Sequence, residues 1–218
     1  MTDQAAPVLE IYWSFRSPYS YLATDRLVAI GRDYEVAVDF RPVRPLALRE
    51  PEFFKRGRKQ FLPYLFKDVP REAEQLGVPF GPPNPDPVVM DFETGKVAPE
   101  QPVMTMIMNL AFAAIADGRG LEFAQVVSRS VWGGVANWCE NDVLSKTLAK
   151  AGFDLGVLSA WAADNQHVIA QQLAHNEEAQ LEHHWGVPLM VLNGEPFFGQ
   201  DRIESLTWRL DQSGLRRD

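Results

Sequence analysis

The first apolar run of the chain, Val8-Leu9-Glu10-Ile11-Tyr12-Trp13, is short and closed off by Arg16-Ser17-Pro18, so it reads as a strand. From Tyr19 to Gly31 the apolar positions Tyr21, Leu22, Leu27, Val28 and Ile30 fall on one helical face, and Gly31 is expected to stop the helix. The segment Glu35-Val36-Ala37-Val38-Asp39-Phe40 then alternates strictly, with Val36, Val38 and Phe40 on one side of a half-buried strand. Strand, helix and strand in this order require a right-handed crossover and a parallel pair.

Between about Pro45 and Trp185 the strand pattern nearly vanishes. Helices are predicted over 50–58 and 59–77, with Pro63 and Pro70 marking breaks or kinks. The run Gly81-Pro82-Pro83-Asn84-Pro85-Asp86-Pro87 is a rigid loop. Residues 101–116 are apolar all round and predict a buried helix whose methionines fill the core. Further helices are expected over 121–131, 141–150, 155–163 and 167–184. The sheet resumes with Pro188-Leu189-Met190-Val191-Leu192, turns at Asn193-Gly194-Glu195 and returns along Pro196-Phe197-Phe198. In the last helix Asp201 is placed to cap, Glu204 completes a capping-box spacing, and Ile203, Leu206 and Leu210 form the buried face.

The order is therefore strand–helix–strand, a long helical block, then strand–strand–helix. That is an α/β chain with a thioredoxin-like core of the DsbA type and a large α-helical insertion. The expected division is 1–44 with 186–218 for the core and 45–185 for the insertion.

Composition changes this picture only by exclusion. With 218 residues and a hydrophobic fraction of 46%, the chain can bury a substantial core. Its net charge of -8 disfavours nucleic acid and anionic membrane as partners. Residues 1–7 carry no basic region and no apolar signal core, and no apolar run is long enough to span a bilayer, so a cytoplasmic location is expected. The single cysteine, Cys139, excludes an internal disulfide and suits a reducing compartment where glutathione is abundant.

Candidate chemistry concentrates at the two ends. Ser17-Pro18-Tyr19-Ser20 has the frame of a thioredoxin C-x-x-C site with serine at both cysteine positions. Such a corner cannot exchange disulfides, but its helix N-terminus still favours an anion, and a serine hydroxyl there can donate to a thiolate brought in by a ligand. Serine and Ser-Pro are equally ordinary helix starts. Val187-Pro188 suits a cis bond facing the Ser17 loop, presenting the Val187 backbone to a small extended peptide. Gln200 and Asp201 open the last helix, where a carboxylate beside N-terminal amides suits an amino-acid zwitterion such as a γ-glutamyl group. Arg16 either raises the local potential or is a surface charge. The four histidines, His167, His175, His183 and His184, show no metal-ligand spacing and read as surface or packing residues, and Cys139 beside Trp138 as inert.

Several stretches carry a more specific likeness. They are Phe15-Arg16-Ser17-Pro18-Tyr19-Ser20-Tyr21-Leu22-Ala23, then Phe40-Arg41-Pro42, then Tyr64, Asp68 and Arg71 ahead of Leu76-Gly77-Val78-Pro79. Trp132-Gly133, Gly186-Val187-Pro188 and Phe198-Gly199-Gln200-Asp201-Arg202 follow in order. At these residues the chain resembles the 2-hydroxychromene-2-carboxylate isomerase family and the related kappa-class glutathione transferases. The resemblance implies a DsbA-like thioredoxin fold, a homodimer, and glutathione as cofactor. It implies that catalytic Ser17 holds the thiolate, that Val187 beside cis-Pro188 pairs with the peptide backbone, and that Gln200 and Asp201 hold the γ-glutamyl end. Arg16, Tyr19 and Trp132 are expected near a small-molecule electrophile, with Phe53, Phe54, Phe61, Phe66 and Trp138 as further apolar wall.

The chain reads Trp13-Ser14-Phe15 where isomerases of that family often read F-D-F, and Gln200 where Ser or Asn is favoured. Two other classes stay open: a DsbA-like disulfide oxidoreductase homologue without its C-x-x-C, and a non-catalytic thiol- or peptide-binding protein.

Overall fold

Leu9, Ile11 and Trp13 of β1 (Val8–Trp13) are fully buried in the main core, while Tyr12 alternates into a smaller core on the opposite face. The structure, a computed structural model, describes residues 6–91 and 93–217, apart from the side chains of 54–59. β1 pairs in parallel with β2 (Ala37–Pro42), from Val8 opposite Ala37 to Trp13 opposite Pro42. The strand alternation was expected over 35–40; the observed strand is set two residues later, where this register lies.

Between these strands runs α1 (Pro18–Asp33), with Ser17 as its N-cap and Pro18 in its first position, where a missing N–H costs nothing. Gly31 does not stop it, contrary to the sequence pattern. A Cβ at Gly31 would sit 3.2 Å from Val38 Cγ2, so the glycine lets α1 lie close to β2, and the helix ends when the Tyr34 N–H bonds Ile30 O.

Among the described residues seven helices lie between β2 and β3: α2 (Leu46–Arg49), α3 (Pro51–Leu76), α4 (Pro102–Ala116), α5 (Gly120–Trp132), α6 (Asn141–Lys150), α7 (Leu155–Asp164) and α8 (Gln166–Leu181). α3 is one continuous helix rather than two. Pro63 and Pro70 each withhold one donor, the surrounding turns carry the helix across, and Gly77 at φ +66° ends it. α5 packs along α1, and Gly120 admits the Phe40 ring where a Cβ would lie 3.0 Å from its Cδ1. α8 stops at Leu181, so His183 and His184 lie beyond it.

β3 (Leu189–Leu192) runs antiparallel to β1, and β4 (Glu195–Phe198) antiparallel to β3, giving the sheet order β2-β1-β3-β4. The hairpin turns on Asn193 and Gly194, at φ +51° and +82°, the pair of left-handed residues that a tight hairpin needs. A 3₁₀ turn (Gln200–Arg202) leads into α9 (Ile203–Gln212), whose Ile203, Leu206 and Leu210 are buried. The expected capping box is absent. Arg202 occupies the cap position without a side-chain bond, and Asp201 lies inside the 3₁₀ turn, its carboxylate 3.6 Å from the Arg202 guanidinium.

The main core joins the Leu9–Trp13 face of the sheet to α1, α4, α5 and α9. The second core gathers Tyr12, Val43, Leu189 and Val191, with Ala179 of α8 and Val187 against it. No helix among the described residues is long and apolar enough to cross a membrane.

Candidate functional site

β1 ends at Trp13 and α1 begins at Pro18, so the intervening corner places Ser17 at the head of a sixteen-residue helix. The Ser17 hydroxyl oxygen accepts from the Ser20 N–H at 3.2 Å. Its own proton points to the Val187 carbonyl oxygen at 3.4 Å, too long for a strong bond. Ser17 therefore has its acceptor side engaged by the helix and its donor side nearly free. Ser20, at the second position of the motif, is fully buried, and its hydroxyl has no partner among the described residues. Only the first serine of the pair is partly accessible.

The Val187–Pro188 bond is cis, and Val187 faces Ser17 across the gap between β3 and α1. Its N–H donates to no group among the described residues. The neighbouring Gly186 is held on both sides. His184 Nδ1 accepts its N–H at 2.9 Å, and the buried Gln180 donates Nε2 to its carbonyl at 2.8 Å. A side chain at Gly186 would overlap the Phe198 ring, and Phe198 stacks on His184 with centroids 3.7 Å apart. Burial holds the His184 imidazole below its usual pKa, so it is neutral at pH 7 and able to accept.

Gln200 is buried with its amide oxygen and nitrogen both hydrogen-bonded: the Arg26 guanidinium donates to its Oε1, and its Nε2 donates to Glu72 at 2.8 Å. It is a structural tie from the 3₁₀ turn to α1 and α3 rather than a free side-chain contact. Burial lowers the Arg26 pKa against the opposing pull of Glu204, Glu72 and Asp201. Of these three carboxylates Asp201 and Glu204 are exposed, and Asp201 also lies 3.6 Å from the Arg202 guanidinium.

Arg16 does not lend a free positive charge to the corner. Its Nε and Nη2 bind both oxygens of Asp86, at 2.8 and 2.9 Å, and Met90 Sδ lies 3.0 Å away. Trp132 is also structural: buried, stacked on Phe80, and donating Nε1 to Phe15 O at 3.0 Å. It braces the corner from behind. Trp138 is buried with its N–H on Pro85 O, and Cys139 beside it is partly buried, its thiol pushed up by that burial.

The Tyr19 hydroxyl donates to Asp68 at 2.7 Å, and Tyr64 and Arg71 donate to the other carboxylate oxygen, Tyr64 at 2.9 Å. Burial works against the Asp68 charge, and these three donors outweigh it, holding its pKa below the usual range. The same environment pushes the Tyr19 phenol well up, so it is a neutral donor. Tyr64, Asp68 and Glu72 recur at i, i+4 and i+8 on one face of α3, tying it to α1 and to the 3₁₀ turn. The sequence singles out Tyr64, Asp68 and Arg71 but not Glu72, and it does not show what the carboxylates reach.

A cavity of about 390 Å³ opens between α2, α4 and α8, lined by Leu48, Met104, Met108, Ile169 and Leu173, with Arg44 and Asn109 among its polar groups. None of the aromatic residues expected as an apolar wall lines it; Phe54 lies outside the described side chains. Phe53 instead packs on Trp185 and Phe61, and Phe66 is exposed. Its methionines are the ones read from the sequence as core filler. Glu177 neutralises Arg44, at 2.9 Å from Nε and 2.6 Å from Nη2. Among the described residues no group of three potential metal ligands occurs.

The fold is shared with known proteins. The chain is 27% identical over 204 residues to 2-hydroxychromene-2-carboxylate isomerase of Pseudomonas putida, covering 90% of each chain. A solved 2-hydroxychromene-2-carboxylate isomerase superposes with a TM-score of 0.68 at 24% identity, covering 95% of this chain and 97% of the other. The cytosolic disulfide reductase DsbM from Pseudomonas aeruginosa, solved with GSH, superposes with a TM-score of 0.57 at 17% identity, covering 94% and 99%. The DSBA-like thioredoxin domain matches residues 8–211, from the first residue of β1 almost to the end of α9. With nearly the whole fold inside that match, the chain belongs to the DSBA-like thioredoxin family.

Proposed function

We propose that this protein is a glutathione-dependent isomerase of conjugated small molecules. The observation that carries the reading is the Ser17 hydroxyl, fixed on its acceptor side by Ser20 N–H and nearly free on its donor side. A hydroxyl so held donates to an anion without surrendering a strong bond of its own. The similarity to a 2-hydroxychromene-2-carboxylate isomerase over 90% of both chains supports the reaction class.

The residues around the corner fit a small γ-glutamyl peptide. Val187 offers a backbone N–H with no acceptor among the described residues, and Asp201 an exposed carboxylate for the ligand's ammonium. When bound, glutathione would supply a thiolate, the nucleophile for reversible addition to a conjugated double bond. Ser17 lowers the cost of ionising the thiol, aided by the N-terminus of α1.

Disulfide exchange is the weaker reading for a member of this family, since both positions of the motif are serine and Cys139 is the chain's one cysteine. The test is glutathione-dependent cis–trans isomerisation of an aromatic enone carrying an ortho hydroxyl, followed by absorbance. Ser17→Ala is expected to keep its circular dichroism spectrum and lose about 10–100-fold in turnover, the worth of one charge-assisted hydrogen bond. Unchanged turnover in the folded variant contradicts the assignment, as does isomerisation that needs no glutathione.

A further inference from the structure

We propose that His184 is a positioning residue, whose neutral imidazole holds the Trp185–Gly186 peptide and so, through Gly186, sets the orientation of the Val187 backbone that receives a ligand. The proposal rests on the glutathione reading for its ligand, but its geometry stands apart from it. His184 touches none of the groups assigned to the ligand; it acts through Gly186.

The arrangement is a clamp built by the end of α8. Gln180 contributes twice: its backbone carbonyl accepts the His184 N–H at 2.9 Å, and its side chain donates to Gly186 O at 2.8 Å. His184 Nδ1 then accepts the Gly186 N–H at 2.9 Å. Both backbone groups of Gly186 are thereby satisfied by residues of one chain segment. The imidazole itself is fixed by stacking on Phe198 at 3.7 Å and on Trp185 at 5.1 Å between centroids. Phe198 is the last residue of β4, and the next residue's N–H bonds Pro188 O at 2.9 Å. The ring thus rests on the strand that flanks the same cis-proline turn.

An imidazole accepts at Nδ1 only while neutral. Protonation makes both ring nitrogens donors, turning the Gly186 bond into an opposition of two N–H groups. Of the charged and titratable groups around it, Glu182 and His183 adjoin it in the chain, and Arg49 of α2 donates to Trp185 O at 3.1 Å. β4 meets the ring through Phe198, and α8 meets the segment through the neutral Gln180. Among the described residues no carboxylate bonds the ring to stabilise its cation.

The test uses S-methylglutathione, a thioether without an ionisable thiol, so that thiol titration drops out. Its affinity for wild type is expected to fall about tenfold between pH 8 and pH 5, the worth of one hydrogen bond. His184→Asn keeps an acceptor near the Nδ1 position and cannot titrate, so its affinity should be flat with pH. His184→Phe keeps the stacking and removes the acceptor, so it should bind weakly at every pH. A second readout needs no ligand. In wild type the Gly186 and Val187 amide resonances should follow the His184 ring proton through its titration, and in His184→Asn they should stay still. If S-methylglutathione fails to bind wild type at any pH, the ligand assignment falls while the amide titration still decides the clamp. Val187 resonances indifferent to His184, or a pH profile retained in His184→Asn, overturn the proposal.

Discussion

Ser17, Gly186 and Gln200 show what single residues do at this corner. Ser17 has two roles in one atom, since the oxygen that caps α1 carries the proton offered outward. Gly186 is glycine because the Phe198 ring occupies the place of its side chain. Gly186→Ala is expected to cost about 1–3 kcal/mol, the usual penalty for overfilling a packed site, and thermal denaturation measures it. A smaller change at unaltered glutathione affinity would mean that the turn relaxes freely and is not held as described. The serine and the Gly-Val-Pro run were legible in the sequence because their chemistry is local. Gln200 was expected from the sequence to hold a ligand and could not be read as a buried tie, since its partners Arg26 and Glu72 lie 174 and 128 residues away. Nothing in the sequence distinguishes His184 from its neighbour His183; only the fold brings Gly186 and Phe198 to one of them.

At the scale of elements, the corner is held by its seams. Tyr19 and Asp68 join α1 to α3, and Gln200 and Glu72 join α3 to the 3₁₀ turn, so one helix fixes both ends of the site. Asp68→Asn is expected to destabilise the protein by about 1.5–3 kcal/mol at pH 7, as for a buried charged acceptor. Its folded-state pKa is depressed, so the stabilisation is complete above the unfolded value near 4 and is lost as pH falls through the folded value. The gap between wild type and Asp68→Asn should therefore close in acid denaturation below about pH 4. Combined with Tyr19→Phe the losses should be less than additive, because both remove one bond. A gap that persists in acid, or strict additivity, would show that the carboxylate is not the acceptor that matters. Periodicity located almost every helix, and it failed where backbone context overrides the pattern. Gly31 stays inside α1 because β2 passes close by, Pro63 and Pro70 stay inside α3, and the 3₁₀ turn displaces Asp201 from the cap.

For the whole molecule, the order strand–helix–strand, helical block, strand–strand–helix was readable because each segment's period is distinct. The long-range consequence, Ser17 facing Val187 from the far end of the chain, follows from the sheet order β2-β1-β3-β4. The cavity was not readable, since its methionine lining looks like core until α2, α4 and α8 are seen to leave space between them. The account stands on a single claim, that this corner binds and ionises the glutathione thiol. Free thiols of this kind have a pKa near 8.5 and are mostly protonated at pH 7. Calorimetric titration of glutathione at pH 7, in buffers of different ionisation enthalpy, counts the protons released on binding. The expected result is saturable binding with release approaching one proton in wild type, and weaker binding with much less release in Ser17→Ala. Binding without proton release, equal release in both proteins, or no binding at millimolar glutathione would contradict it.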